Sequence, residues 1–238
     1  MSNWLSRSEL FLGEENILKL KNSHVLIVGL GGVGGSAAEQ ICRAGVGKLT
    51  IVDGDIVEES NINRQLIALR STIGKKKADS FRERLLDINP EVEIITINEY
   101  MNGDKFKELL SNEYDYIVDA IDTLTPKVNL IKYAVENKHK IVSSMGAGGK
   151  YDLEKIKVAP IAKSKNCTLA RAVRKRLNRE GIRKGVKVVF SEEFVNKDSV
   201  VEEEGTNKVS NVGTISYMPS VFGAFCASVV IRDLLNLE

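Results

Sequence analysis

The chain has 238 residues, of which 43% are hydrophobic and 28% charged, as is typical of a globular protein with a substantial core. Its net charge of +2 singles out no class of partner, and three unpaired-looking cysteines argue against a disulfide framework and a four-cysteine zinc site. No basic and apolar leader opens the chain, and the most apolar stretch, 220–231, is shorter than the roughly 20 residues of a spanning helix. We therefore expect a cytoplasmic protein without a membrane span.

Short apolar strands alternate with amphipathic helices in the first half of the chain. An entry helix or pair of turns over 4–20 leads to predicted strands at 25–28, 49–52, 92–97, 116–120 and 140–144. Helices are predicted between them at 36–44, 76–86, 106–110 and 126–137, after a glycine-rich turn at 29–35. This alternation predicts an α/β fold with a doubly wound, Rossmann-like and mostly parallel sheet.

The pattern changes after about residue 150. Strands at 156–162 and 186–191 flank a basic helix at 169–179, followed by a polar, charge-rich segment predicted as a mobile loop, 196–211, and a closing helix, 219–237. We predict an N-terminal helical segment (1–21), a nucleotide-binding domain (22–150) and a smaller C-terminal α+β extension (151–238).

A glycine motif follows the first predicted strand. Gly29, Gly31 and Gly34 give the spacing G-x-G-x-x-G at the point where a helix is expected to begin. The first glycine permits a tight turn, the second lets a phosphate approach the backbone, and the third lets helix and strand pack closely. Asp53 ends the next strand, where a carboxylate can bind a ribose hydroxyl. The pattern predicts a nucleotide site; the alternative is a purely structural turn.

The residues after the second strand favour ATP over a nicotinamide cofactor. A nicotinamide enzyme needs a proton donor, and the two histidines, His24 and His139, lie where structural or solvated roles are expected. Polar side chains suited to a polyphosphate follow Asp53, namely Asp55, Asn61, Arg64, Gln65 and Lys77. Asp122, just beyond a third strand, is a candidate ligand for magnesium, whereas Asp119 is expected to form internal hydrogen bonds.

Taken in order, these motifs resemble the superfamily of ubiquitin-activating enzymes and the bacterial enzymes that activate sulfur-carrier proteins. The resemblance rests on G-x-G-G-V-G, D-x-D, N-x-N-R-Q, a lysine and D-A-I-D. It implies ribose binding by Asp53, an ATP contact from Asn61, phosphate contacts from Arg64 and Lys77, and a metal-associated Asp122. It also implies that Arg7 reaches the γ-phosphate from the other subunit of a homodimer.

Within that superfamily the chain is similar to the tRNA threonylcarbamoyladenosine dehydratases. The similarity rests on the stretches 63–70, 119–122, 126–127, 146–152 and 188–193. Cys167-Thr168-Leu169 departs from the expected Asp-Pro-Leu, and 196–211 fits poorly. The resemblance implies ATP- and magnesium-dependent cyclisation of threonylcarbamoyladenosine in tRNA through adenylation of its carboxylate, with sulfur-transfer proteins as possible partners.

Positive charge is concentrated between residues 163 and 187, where the only acid is Glu180. A basic helix of this density is typical of a surface that binds a phosphate backbone, and the alternative is a solvated face. The predicted RNA-binding residues are Lys163, Lys165, Arg171, Arg174, Lys175, Arg179, Arg183 and Lys184.

Other functions remain open from the sequence. One is adenylation of a ubiquitin-like sulfur carrier, which would share the ATP site; the others are a nicotinamide-dependent oxidoreductase and a non-enzymatic RNA-binding module. Cys167 has the residue type of a thioester or persulfide nucleophile, although an incidental role is the favoured interpretation because reactivity needs a lowered pKa. Cys42 and Cys226 are expected in the core.

Overall fold

One seven-stranded sheet organises the part of the chain that the computed structural model describes, residues 4–195, 199–202 and 210–237. Its strands are His24–Val28 (β1), Lys48–Val52 (β2), Glu93–Ile97 (β3), Tyr116–Asp119 (β4), Ile141–Ser144 (β5), Ile156–Pro160 (β6) and Lys187–Ser191 (β7). The order is β3-β2-β1-β4-β5-β7-β6, with every neighbouring pair parallel except β6 and β7. The predicted doubly wound, mostly parallel α/β sheet is confirmed.

Helices cover both faces of the sheet. They are Ser6–Leu12 (α1), Glu14–Lys21 (α2), Gly32–Arg43 (α3), Lys77–Ile88 (α4), Gly103–Leu109 (α5), Leu124–Glu136 (α6), Thr168–Arg179 (α7) and Tyr217–Leu235 (α8). One hydrophobic core joins α3, α4 and α8 to the sheet, and a second joins α5, α6 and α7 to the opposite face. Strands buried on both faces explain the continuous apolar runs of β1 and β2.

The strand order places a crevice between β1 and β4. From β1 the chain proceeds outward to β2 and β3, and then crosses back to β4 on the other side of β1. In open α/β sheets, ligands bind at this reversal, outside the carboxyl ends of the strands. The glycine motif follows β1 and Asp122 follows β4, so the fold brings both to the predicted place.

Helix α8 packs along α3, and small residues set the distance between them. A Cβ on Gly223 would lie 2.4 Å from the carbonyl oxygen of Val33, and the hydroxyl of Ser36 donates to the carbonyl of Ser220 at 2.8 Å. The 19 residues of α8 are long and apolar enough to cross a membrane by length and composition alone, which the shorter stretch 220–231 was not. Half of the apolar 18-residue window in α8 is buried inside the protein, and the core helix of a globular domain passes the same test of length and composition.

Several element boundaries differ from those predicted. Helix α3 begins at Gly32, whereas the predicted helix begins at residue 36. Its first turn contains glycines because a larger residue would not fit there: a Cβ on Gly35 would lie 2.1 Å from the ring of Phe81. Gly13, at φ +81°, divides the entry segment into two helices. The segment predicted as a loop contains short antiparallel strands at its ends, Val200–Glu202 (β8) and Ser210–Val212 (β9). Residues 196–198 and 203–209 of that loop lie outside the described residues.

The segment after residue 150 continues the sheet. Strand β7 pairs with β5, and β6 pairs with β7, so the predicted extension shares the sheet of the nucleotide-binding segment. The division at residue 150 stays a prediction.

Candidate functional site

The glycine motif forms a tight loop whose spacing is fixed by its own backbone. Gly29 has φ +89°, which favours glycine, and a Cβ on Gly34 would lie 1.8 Å from the carbonyl oxygen of Gly29. A Cβ on Gly31 would meet only the side chain of Gln65, at 3.8 Å. Gly31 also precedes α3, where no side chain caps the first amides. The loop therefore offers open space and backbone N–H donors, as phosphate binding requires.

Asp53 ties this loop to the end of β2. Its carboxylate accepts hydrogen bonds from the backbone N–H of Leu30 at 2.6 Å and of Asp55 at 2.8 Å. Burial raises the pKa of Asp53, although the ammonium of Lys77 and both backbone N–H groups act in the opposite direction. The predicted ribose-binding carboxylate is thus held in a defined position beside the glycine loop.

Asp55, Lys77 and Tyr100 form one hydrogen-bonded group at the same edge. The ammonium of Lys77 lies 2.7 Å from one carboxylate oxygen of Asp55, and the hydroxyl of Tyr100 donates to the other at 2.5 Å. The side chain of Lys77 is 6% exposed, so pairing offsets the cost of burying its charge. The hydrogen bond to Asp55 and burial raise the pKa of Tyr100 to about 12. Tyr100 was not predicted from the sequence, although it closely follows the end of β3.

Asn61 and Arg64 lie in a turn that is stabilised from within. The buried amide of Asn61 accepts from the backbone N–H of Glu58 at 3.2 Å and so caps the short 3-10 turn Glu59–Asn61. The guanidinium of Arg64 donates to the carbonyl of Ser60 and to the amide oxygen of Asn63, both at 2.8 Å. The backbone of Arg64 lies against the glycine loop, since a Cβ on Gly32 would lie 2.8 Å from the carbonyl oxygen of Arg64.

Gln65 places a buried amide beside the same loop. Its side chain is 8% exposed, its nitrogen faces Gly31, and its Oε1 has no hydrogen-bond partner within the described part of the chain. A buried acceptor of this kind is costly unless a ligand or water satisfies it. The position fits an interaction with a bound nucleotide.

A buried ion pair fixes the turn between β4 and α6. Asp119 and Lys127 are both 0% exposed and lie 2.8 Å apart. Asp119 also accepts from the hydroxyl of Ser143 at 2.5 Å, and Lys127 donates to the carbonyl of Ile121 at 2.8 Å. The expected internal role of Asp119 is therefore observed, while the sequence analysis missed the role of Lys127. Asp122 lies in this turn and is exposed.

Arg7 lies apart from this cluster. It is exposed on α1, a helix with no buried residues. Leu5, two residues before it, lies against Gly45 beyond the end of α3, whereas the glycine loop is at the start of that helix. The contact of Arg7 with the phosphate of a second copy stays a prediction.

The basic segment has a buried face and a charged face. Helix α7 buries Ala170, Val173 and Leu177. Three basic residues spaced four apart form the exposed face, which we call the basic stripe: Arg171, Lys175 and Arg179. Lys163, Arg183 and Lys184 are also exposed around the helix. These six of the eight sequence-predicted cations are therefore exposed on α7 or in the segments next to it.

Two of the predicted RNA-binding residues also have partners within the protein, and their role in RNA binding stays a prediction. Arg174 donates to the carbonyl of Ile161 at 3.2 Å and to that of Ser164 at 2.8 Å, which fastens the turn before α7. Lys165 forms an ion pair with Glu192 at 3.1 Å. Arg174 thus has a structural role that the charge pattern did not indicate.

Cys167 caps the N-terminus of α7. Its sulfur accepts from the backbone N–H of Ala170 at 3.5 Å, and the residue is 7% exposed. Cys42 and Cys226 are buried as expected, and burial raises the pKa of Cys42 to about 11 and that of Cys226 to about 12. Reactivity at Cys167 stays a prediction, with the incidental role favoured.

Comparison with known proteins places these features in a family. The model of the ThiF family matches residues 5–238. The tRNA threonylcarbamoyladenosine dehydratase of Bacillus subtilis is 38% identical, over 99% of this chain and 96% of its own length. A crystal structure of the Escherichia coli tRNA N6-threonylcarbamoyladenosine dehydratase in complex with ATP matches with a TM-score of 0.90 and 32% identity, over 98% of this chain and 93% of that one.

A relative with another activity matches less of the chain. An adenylyltransferase and sulfurtransferase of Aspergillus niger is 45% identical, but over 47% of this chain and 23% of its own length. The likeness to the dehydratases thus extends over nearly the whole chain, whereas the likeness to this adenylyltransferase extends over about half of it.

Proposed function

The chain belongs to the ThiF family, and from this premise we propose that it is an ATP-dependent tRNA threonylcarbamoyladenosine dehydratase. The observation that carries the proposal is the near full-length similarity to a protein of that name, 38% over 99% of the chain. The ordered polar cluster at the carboxyl edge of β1, β2 and β4 supports it, because it offers phosphate donors and carboxylates at one place.

The proposed chemistry activates a carboxylate. The threonylcarbamoyl group of the substrate ends in a carboxylate, which is a poor electrophile because it is an anion. That carboxylate attacks the α-phosphate of ATP, and pyrophosphate leaves. An internal nucleophile of the same modification then displaces AMP and closes a ring, so that the nucleoside loses one water. The carboxylate is already a nucleophile, so the first step needs no protein base.

The protein residues position the reactants and neutralise charge. The glycine loop and the first amides of α3 bind phosphate, and Asp53 orients the ribose. Arg64 and Lys77 stabilise the charge of the departing pyrophosphate. Lys77 has three N–H donors, so its bond to Asp55 at 2.7 Å leaves others for phosphate oxygens. The unpartnered Gln65 Oε1 supports a ligand at this position.

Magnesium is the metal that we propose. Within the described residues no three His, Cys, Asp or Glu side chains are grouped to hold a metal ion. Magnesium bound with a nucleotide uses one or two carboxylates together with phosphate oxygens, so a sparse protein donor set fits. Asp119 is committed to Lys127, which leaves Asp122 as the candidate ligand. A bound ion would draw electron density from the phosphate oxygens.

We also propose tRNA as the substrate and a homodimer as the assembly. The exposed basic stripe supports tRNA binding. Leu10 and Phe11 on α1 are 90% and 86% exposed, which fits a surface covered by a second copy, and Arg7 lies one turn before them on the same helix. The contact of Arg7 with the neighbour's phosphate is what the family resemblance implies. A cytoplasmic location and contacts with sulfur-transfer proteins complete the proposal and rest on the family resemblance alone.

Mass spectrometry of the nucleoside tests the proposal. The protein is incubated with ATP, magnesium and threonylcarbamoylated tRNA, and we expect the modified nucleoside to lose one water. Arg64→Ala and Lys77→Met should reduce the rate by roughly 10²–10³-fold, as loss of a charge-stabilising donor does. Lys76→Met is the matched control, because Lys76 is the exposed neighbour of the buried Lys77.

Two outcomes would overturn the assignment. If the nucleoside stays unchanged while pyrophosphate appears on addition of a small carrier protein, the chain is a carrier adenylyltransferase. If neither occurs and NADH binds instead, the oxidoreductase alternative replaces it.

A further inference from the structure

A cavity of about 370 Å³ lies on the surface between two exposed aromatic rings, Tyr151 and Phe194. Their exposed fractions are 73% and 81%, unusual for large apolar side chains. Lys155, Lys165 and Asn166 also line the cavity. Neither ring contributes to the hydrophobic cores that the described residues form.

The cavity opens at the same edge of the sheet as the glycine loop. Phe194 follows β7, which runs parallel to β5, so it lies at the carboxyl edge. Tyr151 precedes β6, which is antiparallel to β7 with Ile156 opposite Ser191, so it lies at that edge too. Substrate bound at the nucleotide site could therefore extend along this edge to the two rings.

The first turn of α8 connects the two places. The hydroxyl of Tyr217 donates to the carbonyl of Tyr151 at 2.9 Å. Two residues later, Pro219 lies against the glycine loop, since a Cβ on Gly32 would be 2.7 Å from the Cβ of Pro219. Residues two positions apart in α8 thus contact the backbone at Tyr151 and the phosphate-binding loop.

The chemistry of the cavity favours a flat, uncharged group. Lys165 is paired with Glu192 at 3.1 Å, and the amide of Asn166 donates to the carbonyl of Glu192 at 2.8 Å. The lining contains two lysines and two glutamates, so it has no net positive charge to attract a phosphate. Aromatic faces stack with nucleobases, and the amide and carboxylate groups can form hydrogen bonds with base edges.

The basic stripe begins beside this cavity. Helix α7 starts at Thr168, two residues after Asn166, and Arg171, Lys175 and Arg179 extend from there along its exposed face. A strand of RNA could thus place phosphates on the stripe and a base between the rings. This arrangement favours RNA over a protein partner, which would need apolar groups opposite the rings.

We propose that the cavity binds an unpaired nucleobase of the substrate RNA, close in sequence to the modified adenosine, stacked on Tyr151 and Phe194. The inference rests on the proposed function and deepens it, because it locates a second contact with the same RNA loop. In this arrangement the stripe gives affinity, and the cavity sets how far the RNA enters the crevice.

The test compares three variants with the wild type in binding of a threonylcarbamoylated anticodon stem-loop RNA. Tyr151→Ala/Phe194→Ala should weaken binding by roughly 10–100-fold, the usual loss when a stacking platform is removed. Tyr151→Phe/Phe194→Tyr keeps both rings and should stay within about 2-fold. Ile95→Ala is the control, since Ile95 is 40% exposed on β3, the opposite edge strand. ATP affinity and thermal unfolding should be unchanged in all three.

Different outcomes separate the inference from the proposed function. If the alanine variant binds the RNA as tightly as the wild type while the wild type dehydrates the nucleoside, the cavity proposal is wrong and the function stands. If the alanine variant instead changes from dimer to monomer, the rings belong to a protein interface and the proposal is overturned. A wild type that neither binds nor converts the RNA overturns both.

Discussion

The carboxyl edge of β1, β2 and β4, which we call the nucleotide edge, and the basic stripe differ in how their charged side chains are held. At the nucleotide edge, Lys77 and Lys127 are buried and each is paired with a carboxylate at 2.7–2.8 Å. On the stripe, Arg171, Lys175 and Arg179 are exposed. A buried charge must be fixed to be tolerated, whereas an exposed one costs little and adapts to its partner. The two proposed binding regions therefore use basic residues in opposite environments.

The largest expected effect comes from breaking a buried pair. Lys127→Met leaves the carboxylate of Asp119 buried without its partner and should reduce the free energy of unfolding by about 3–5 kcal/mol. Urea denaturation measures the change. The double variant Asp119→Leu/Lys127→Met removes both charges and should recover part of the loss. Additive losses in the double variant would show that the pair itself is not what holds the turn.

A smaller effect is expected on the stripe, and it should depend on salt. Replacing Arg171, Lys175 and Arg179 by glutamine should lower tRNA affinity, and the slope of log K against log salt should fall by about one for each phosphate that the variant no longer neutralises. Thermal stability should stay unchanged. Arg82→Gln, an exposed arginine on α4, is the control. An unchanged slope in the triple variant would exclude the stripe as the phosphate surface.

Arg174 allows a paired and an exposed arginine to be compared on one helix, α7. Because its guanidinium fastens the carbonyls of Ile161 and Ser164, Arg174→Gln should reduce stability by about 1–3 kcal/mol and leave the salt slope unchanged. A reduced slope with intact stability would instead assign Arg174 to the RNA surface.

The smallest effect is expected for a partly exposed ion pair, intermediate between the two environments, at Asp233 of α8. Its carboxylate accepts from Tyr116 of β4 at 2.7 Å and from Lys187 of β7 at 2.6 Å. Burial acts to raise the pKa of Asp233, but the bonds to Lys187 and Tyr116 outweigh it and lower the pKa. The stabilisation is therefore complete above the ordinary carboxyl pKa and is lost as pH falls through the lowered value.

Asp233→Asn should accordingly cost about 1 kcal/mol near neutral pH and make stability less dependent on acid. Stability measured by denaturation between neutral and acidic pH tests this expectation. Asp87→Asn, on the exposed face of α4, provides the control. If both variants keep the acid dependence of the wild type, the contacts of Asp233 are not its source.

The sequence predicted those features that depend on neighbouring residues. The apolar run before Gly29 and the carboxylate after β2 gave the strand, the loop and the position of Asp53, since strand ends and turns have local signatures. The start of α3 was placed too late, because its glycines are fixed by contacts with Phe81 and the loop that no local pattern records.

Features that depend on distant residues were not predictable. Nothing in the residues next to Lys127 indicates that it is buried. The folded chain shows this, because Lys127 of α6 is paired with Asp119 of β4, which also accepts a hydrogen bond from Ser143 of β5. Tyr100 binds Asp55 from 45 positions away. The density of cations near α7 was correct as a pattern, but charge alone could not separate Arg174, which fastens a turn, from the exposed Arg171.

The packing of α8 on α3 has a consequence for the order in which the protein is made. Ser36 and Ser220 touch across 184 positions of the chain. A ribosome synthesising at about 5–20 residues per second therefore exposes α3 for roughly ten seconds or more before α8 can cover it. The glycine loop is anchored to α3 and pressed by Pro219, so the nascent chain reaches its nucleotide-binding shape only after α8 has emerged. Until then the apolar face of α3 that α8 covers is exposed, and chaperones could bind it.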